Sequence, residues 1–99
     1  MRMMMKVAIP VDAGNKGVTG GGLGKTVARF VEQAKPESSY FVADNGKRTA
    51  YFFFDLKDPS DLPSFAEPFF MELNAAIEVT PAMNLADMKA GVERATKNL

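Results

Sequence analysis

The chain predicts an α+β fold, helices lying against one face of a four-stranded antiparallel sheet, and three features of its 99 residues carry that expectation. Asn45-Gly46 separates two aromatic and β-branched runs, the strongest short-range signal for a two-residue hairpin. Met3, Met5, Val7, Ile9 and Val11 alternate with Met4, Lys6, Ala8 and Pro10, the period-two pattern of a strand with one apolar face. Leu23, Val27, Phe30, Val31 and Ala34 recur at helical spacing.

Taken in order, the first strand runs into a glycine-rich stretch, Gly17 to Gly24, that reads as a flexible connection. The helix that follows is ended by Pro36. The hairpin arms are Ser39 to Asp44 and Lys47 to Leu56, and a type I′ turn at Asn45-Gly46 sets Asp44 opposite Lys47, Val42 opposite Thr49 and Tyr40 opposite Tyr51. Asp58-Pro59-Ser60-Asp61 supplies capping residues for a second helix with Leu62, Phe65, Ala66, Phe69 and Leu73 on its apolar side; Pro63 fits its first turn and Pro68 removes a backbone donor within it. Ala76 to Pro81 alternates again as a strand, with Ile77 and Val79 inward. Asn84 and Asp87 then form a capping pair for a last helix carrying Leu85, Met88, Val92 and Ala95.

Strand, helix, two strands, helix, strand and a terminal helix is the ferredoxin-like βαββαβ order with a C-terminal helix, whose antiparallel sheet runs 4-1-3-2. The hairpin register then sorts side chains. Val7, Ile9, Phe41, Ala50, Phe52, Phe54, Ile77 and Val79 face the helices as core. Met4, Lys6, Ala8, Tyr40, Val42, Thr49, Tyr51, Phe53, Asp55, Glu78 and Thr80 face the other way, a mixture too aromatic for open solvent and too polar for a core. A partner sheet or a lined pocket answers that mixture.

One domain spanning residues 1–99 fits this length. Twelve basic and twelve acidic residues cancel and are scattered, which argues against nucleic acid and against an anionic membrane surface as partners. With no cysteine and no histidine, disulfides, thiolate chemistry, zinc hydrolysis, Ser-His-Asp catalysis and His-ligated haem are excluded. The apolar start is short and runs into polar sequence, so it reads as a strand in a cytoplasmic protein, neither signal peptide nor membrane span.

The candidate ligand-binding residues are Lys6, Tyr40, Tyr51, Phe53 and Glu78 on the open face, with Lys6 flanked by Asp55 and Glu78 as a tuned acid-base group or an ordinary cross-strand ion pair. Gly24, Lys25 and Thr26 match the end of a phosphate-binding GxxxxGK[ST] loop, but Thr19 stands where its first glycine belongs. They remain a site for a small anion at a helix N-terminus. Asp55, Asp58 and Asp61 have the chemistry for Mg²⁺ or Ca²⁺, but they sit where aspartate is wanted for capping, so neither metal nor cofactor is expected.

The KVAIPV strand, the block TAYFFFDLKDPSDLPSFAEPFFMELNAAIEVTPAM and the trailing helix together resemble a small bacterial family of uncharacterised function within the dimeric α/β-barrel proteins, the ferredoxin-like superfamily that includes muconolactone-isomerase-like and cofactor-free monooxygenase-like domains. The opening MKVAIPVDAGNKG is also similar to iron-molybdenum-cofactor-binding domains, over a dozen residues only. The first resemblance implies a homodimer in which two open sheet faces pack into a barrel. It also implies a small-molecule-binding or structural role, with a cofactor-free isomerase or monooxygenase as the alternative and nucleotide or phosphate binding at the glycines as a remoter one.

Overall fold

The computed structural model describes residues 1–99. Its elements are β1 (Arg2–Ile9), α1 (Val11–Gly20), α2 (Gly22–Ala34), β2 (Ser38–Asp44), β3 (Lys47–Asp55), a single 3-10 turn (Pro59–Asp61), α3 (Leu62–Leu73), β4 (Ala76–Pro81) and α4 (Leu85–Lys97). The four strands form one antiparallel sheet in the order β2-β3-β1-β4. This is a ferredoxin-like α+β arrangement with one helix more than βαββαβ between its first two strands.

The hairpin takes the expected register, Tyr40 opposite Tyr51 and Asp44 opposite Lys47. Asn45 at φ 52° and Gly46 at φ 73° are the two left-handed residues that a type I′ turn needs.

The glycine-rich stretch departs from the expected flexible connection. It is helical on both sides of Gly21, whose φ of 80° ends α1 and lets α2 start in a new direction. Packing explains the difference. Gly17 is buried, and a Cβ there would lie 3.0 Å from Leu23 Cβ and 3.1 Å from Leu73 Cδ2, so its bare backbone lets α1 close onto α2 and α3. That tertiary contact overrides the penalty of about 1 kcal/mol that glycine carries in a helix.

The core lies between the sheet and helices α2 and α3. Met3, Met5, Val7 and Ile9 from β1 and Ala50, Phe52 and Phe54 from β3 meet Phe30, Phe69 and Leu73. The Phe30 ring centres it, 4.5 Å from Phe52 and edge-on to Phe54 and Phe65, each at 5.6 Å. One expected core residue is misplaced: Phe41 is 60% exposed, because the helix layer does not reach over the edge strand β2.

α4 is well capped and poorly packed. Asn84 Oδ1 accepts from the Asp87 N–H at 2.8 Å and Asp87 Oδ2 accepts from the Asn84 N–H at 3.1 Å, the capping pair expected. Yet none of its residues is buried, and Leu85, Met88 and Val92 are exposed. No helix is long and apolar enough to cross a membrane.

Candidate functional site

Antiparallel pairing places four of the expected ligand residues in one row across the sheet. Lys6 at the middle of β1 lies opposite Tyr51 on β3 and opposite Glu78 on β4, and Tyr51 lies opposite Tyr40 on β2. Phe53 belongs to the next row, opposite Met4. Because successive residues of a strand alternate between faces, all five look away from the core.

Within this row Lys6 is the hub. Its Nζ sits 3.2 Å from Asp44 Oδ2, 3.8 Å from Glu78 Oε2 and 5.9 Å from the centroid of the Tyr51 ring. The Tyr51 hydroxyl donates to the same Asp44 oxygen at 2.7 Å. The Lys6 side chain is 24% exposed and that of Asp44 32%, whereas Glu78 is 75% exposed and forms the wet end of the cluster.

These contacts shift protonation in one sense. The hydrogen bond from Tyr51, then the Lys6 ammonium, hold the Asp44 carboxyl below the usual carboxylate range. Its hydrogen bond to Asp44, reinforced by that carboxylate's charge, holds Lys6 above the usual ammonium range. The bond to Asp44, then burial, push the Tyr51 phenol up. At neutral pH the cluster is therefore a fixed ammonium–carboxylate pair with a protonated phenol beside it.

Asp44 was not among the residues expected here, although a period-two step from Tyr40 and Val42 puts it on their face. Asp55, expected beside Lys6, is elsewhere. The β1–β3 register sets it opposite Arg2, and its Oδ1 takes the Met1 amino group at 2.6 Å. Lys6 thus stands between Asp44 and Glu78.

Gly24, Lys25 and Thr26 lie in the first turns of α2, at a helix-to-helix junction with no loop to wrap a phosphate. The Lys25 N–H is bonded to the Gly21 carbonyl at 3.3 Å. Thr26 is buried, its hydroxyl donating to the Gly22 carbonyl at 2.9 Å and to the Glu72 carboxylate. Glu72 also accepts from Arg29 at 3.3 Å, and the Thr26 bond foremost lowers its pKa. A carboxylate thereby occupies the partner that a phosphate would take. Asp58 Oδ1 accepts from the Ser60 N–H at 2.9 Å and from the Ser60 hydroxyl at 2.6 Å, a cap on the 3-10 turn, and Asp55, Asp58 and Asp61 do not converge as a ligand set.

Neither a protein-family model nor a curated protein sequence matches the chain.

Proposed function

We propose that the chain is a homodimeric small-molecule-binding module whose open sheet faces meet, with the Lys6–Asp44–Tyr51–Glu78 cluster holding a polar group of the ligand. The observation that carries this reading is the row itself, a fixed ion pair in the middle of an aromatic face that no helix of the same chain covers. Tyr40 is 61% exposed there, and Val42 beside it is exposed as well. A second copy would remove that apolar area from water, and desolvation would strengthen the ion pair.

The donors point to the ligand chemistry. An ammonium has three N–H groups; Asp44 at 3.2 Å takes one at Lys6, while Glu78 at 3.8 Å is an ion-pair neighbour beyond hydrogen-bond reach, so N–H groups remain for a carbonyl or carboxylate oxygen. Binding is favoured over turnover. A general acid or base works best with a pKa near the working pH, and here Lys6, Asp44 and Tyr51 are each driven away from neutrality. A cofactor-free isomerase or oxygenase would need one of them poised in between.

Analytical ultracentrifugation of the wild-type chain, alongside NMR titration with small ketones and carboxylates, tests this. The expected result is a dimer in which such fragments shift the Lys6 and Tyr51 resonances, with Lys6→Met keeping the dimer and losing the shifts. A stable monomer at roughly 10 µM would sink the reading, since interfaces of standard size associate more tightly than that. A dimer that no fragment perturbs would leave association without a ligand.

A further inference from the structure

On the opposite side of the sheet a second site opens where the helix layer stops short of β2. It is a cleft of about 380 Å³, with Val7, Ile9, Leu23, Val27, Phe41 and Phe69 among its mostly apolar lining. That size falls within the ~300–1,000 Å³ typical of small-molecule sites. Its floor is the well-packed core, since Val7 and Phe69 are almost wholly buried. Its outer wall is Phe41, held edge-on to Phe52 at 5.8 Å and otherwise exposed.

Arg48 supplies the one charged group of the lining, and no acidic side chain accompanies it. Opposite Ile9 in the β1–β3 ladder, it reaches over α1, where its Nη1 donates to the neutral Asn15 Oδ1 at 3.2 Å. Arg2 and Arg29 each pair with carboxylates, but Arg48 has none within ion-pair distance. Room for its guanidinium is made by Gly14, where a Cβ would come within 2.7 Å of Arg48 Nη1. An apolar cleft with a single unneutralised, fork-shaped cation at its edge suits one ligand chemistry.

We propose that this cleft binds a small amphipathic carboxylate, its hydrocarbon body against Leu23, Val27 and Phe41 and its carboxylate on Arg48. The site opens on the helix side of the sheet, behind the Lys6 cluster, and shares only the edge of β2 and β3 around Val42 and Thr49 with the open face.

Decanoate and 1-decanol, which share an apolar body and differ in charge, separate the two halves of the proposal when titrated into the ¹⁵N-labelled chain. Decanoate is expected to bind saturably, shifting amides of Leu23, Val27, Phe41, Ala43 and Ala50, and at least tenfold more tightly than decanol. Arg48→Gln should bring decanoate down to the affinity of decanol and leave decanol unchanged. Gly14→Ala, by displacing the guanidinium, should weaken decanoate in the same direction. Ala43→Phe, an exposed position on the edge strand, should fill the cleft mouth and weaken both ligands. The proposal is overturned by absence of saturable binding, by equal affinity for the two probes, or by shifts confined to the open face or to α4. It is equally overturned if the amides of Leu23 and Val27, on α2 and away from the open face, shift on raising protein concentration alone, since a second copy would then be the occupant.

Discussion

Gly14 and Gly17 stand three residues apart on α1 and should answer alanine in opposite ways. At Gly17 the new methyl would press on Leu23 Cβ and Leu73 Cδ2 inside the helix layer, so Gly17→Ala is expected to cost about 1–3 kcal/mol by overpacking. At Gly14 it meets mainly the flexible end of Arg48, so Gly14→Ala should be neutral, or stabilising by up to about 1 kcal/mol through helix propensity. Urea unfolding of the two variants decides between them. Asp44 gives the pH prediction. Its folded pKa is depressed, so its share of stability is present above the ordinary aspartate range and is lost as pH falls through the lowered value. Lys6 and Tyr51 are raised, so theirs is present below about pH 10 and is lost as pH rises through the folded values. The cluster's contribution to melting temperature should therefore be constant between those limits, with small flanks because the cluster is partly exposed, and Asp44→Asn should reduce the alkaline flank and, since Asp55, Asp58 and Glu72 are depressed as well, only part of the acid one. An unchanged profile in Asp44→Asn would separate Asp44 from the cluster. At this scale the Tyr40–Tyr51 pair was legible because turn register is a local rule, and Lys6 and Glu78 were legible as to face by strand period, while their row rests on the long-range β1–β3 and β1–β4 pairings. Asp55 was misassigned because being on the right face does not put a residue in the right row.

Among the elements, the hairpin is the most fully written into the sequence. Gly46→Val should cost roughly 1–3 kcal/mol, because a β-branched residue would be forced to the φ of 73° that glycine adopts freely; a melting point within a degree of wild type would contradict that. The Asn84–Asp87 cap was legible for the same reason, since both partners lie within four residues. α1 was not legible, because its glycines argue locally for a loop and only contact with Leu23 and Leu73 makes a helix worthwhile. α4 is the element whose stability is least accounted for within one chain. A helix of 13 residues is marginal in water on its own, and this one rests on its cap without a packed face. Asn84→Ala, a change worth about 1 kcal/mol at an N-cap, should lower the helicity of α4 in dilute solution while the core unfolds at an unchanged midpoint. Carbon chemical shifts of residues 85–97 read that directly, and a matching loss of core stability would show α4 to be part of the cooperative unit.

The whole molecule is longer than its size requires. Its radius of gyration is 15.7 Å and its long axis 54 Å, where a compact chain of about 100 residues has a radius near 13 Å. The excess comes with unpartnered apolar area in two places, the stripe of Leu85, Met88 and Val92 and the open sheet face. The cleft under β2 is a third consequence of shape, and it could not be read from sequence because it exists only where the helix layer ends. Period-two patterning assigned Phe41 to the core correctly as to face, without information on how far α2 would extend over it. The central claim is that the open face is covered by a second copy. Sedimentation velocity of wild type and of Tyr40→Asp tests it most directly, because Tyr40 is 61% exposed in the single chain and its loss should leave the monomer folded. Wild type should sediment at twice the chain mass at roughly 10 µM, and Tyr40→Asp should sediment as a folded monomer, because an interface does not tolerate an unpaired carboxylate. Two monomeric species, or two dimers of equal affinity, would contradict the account.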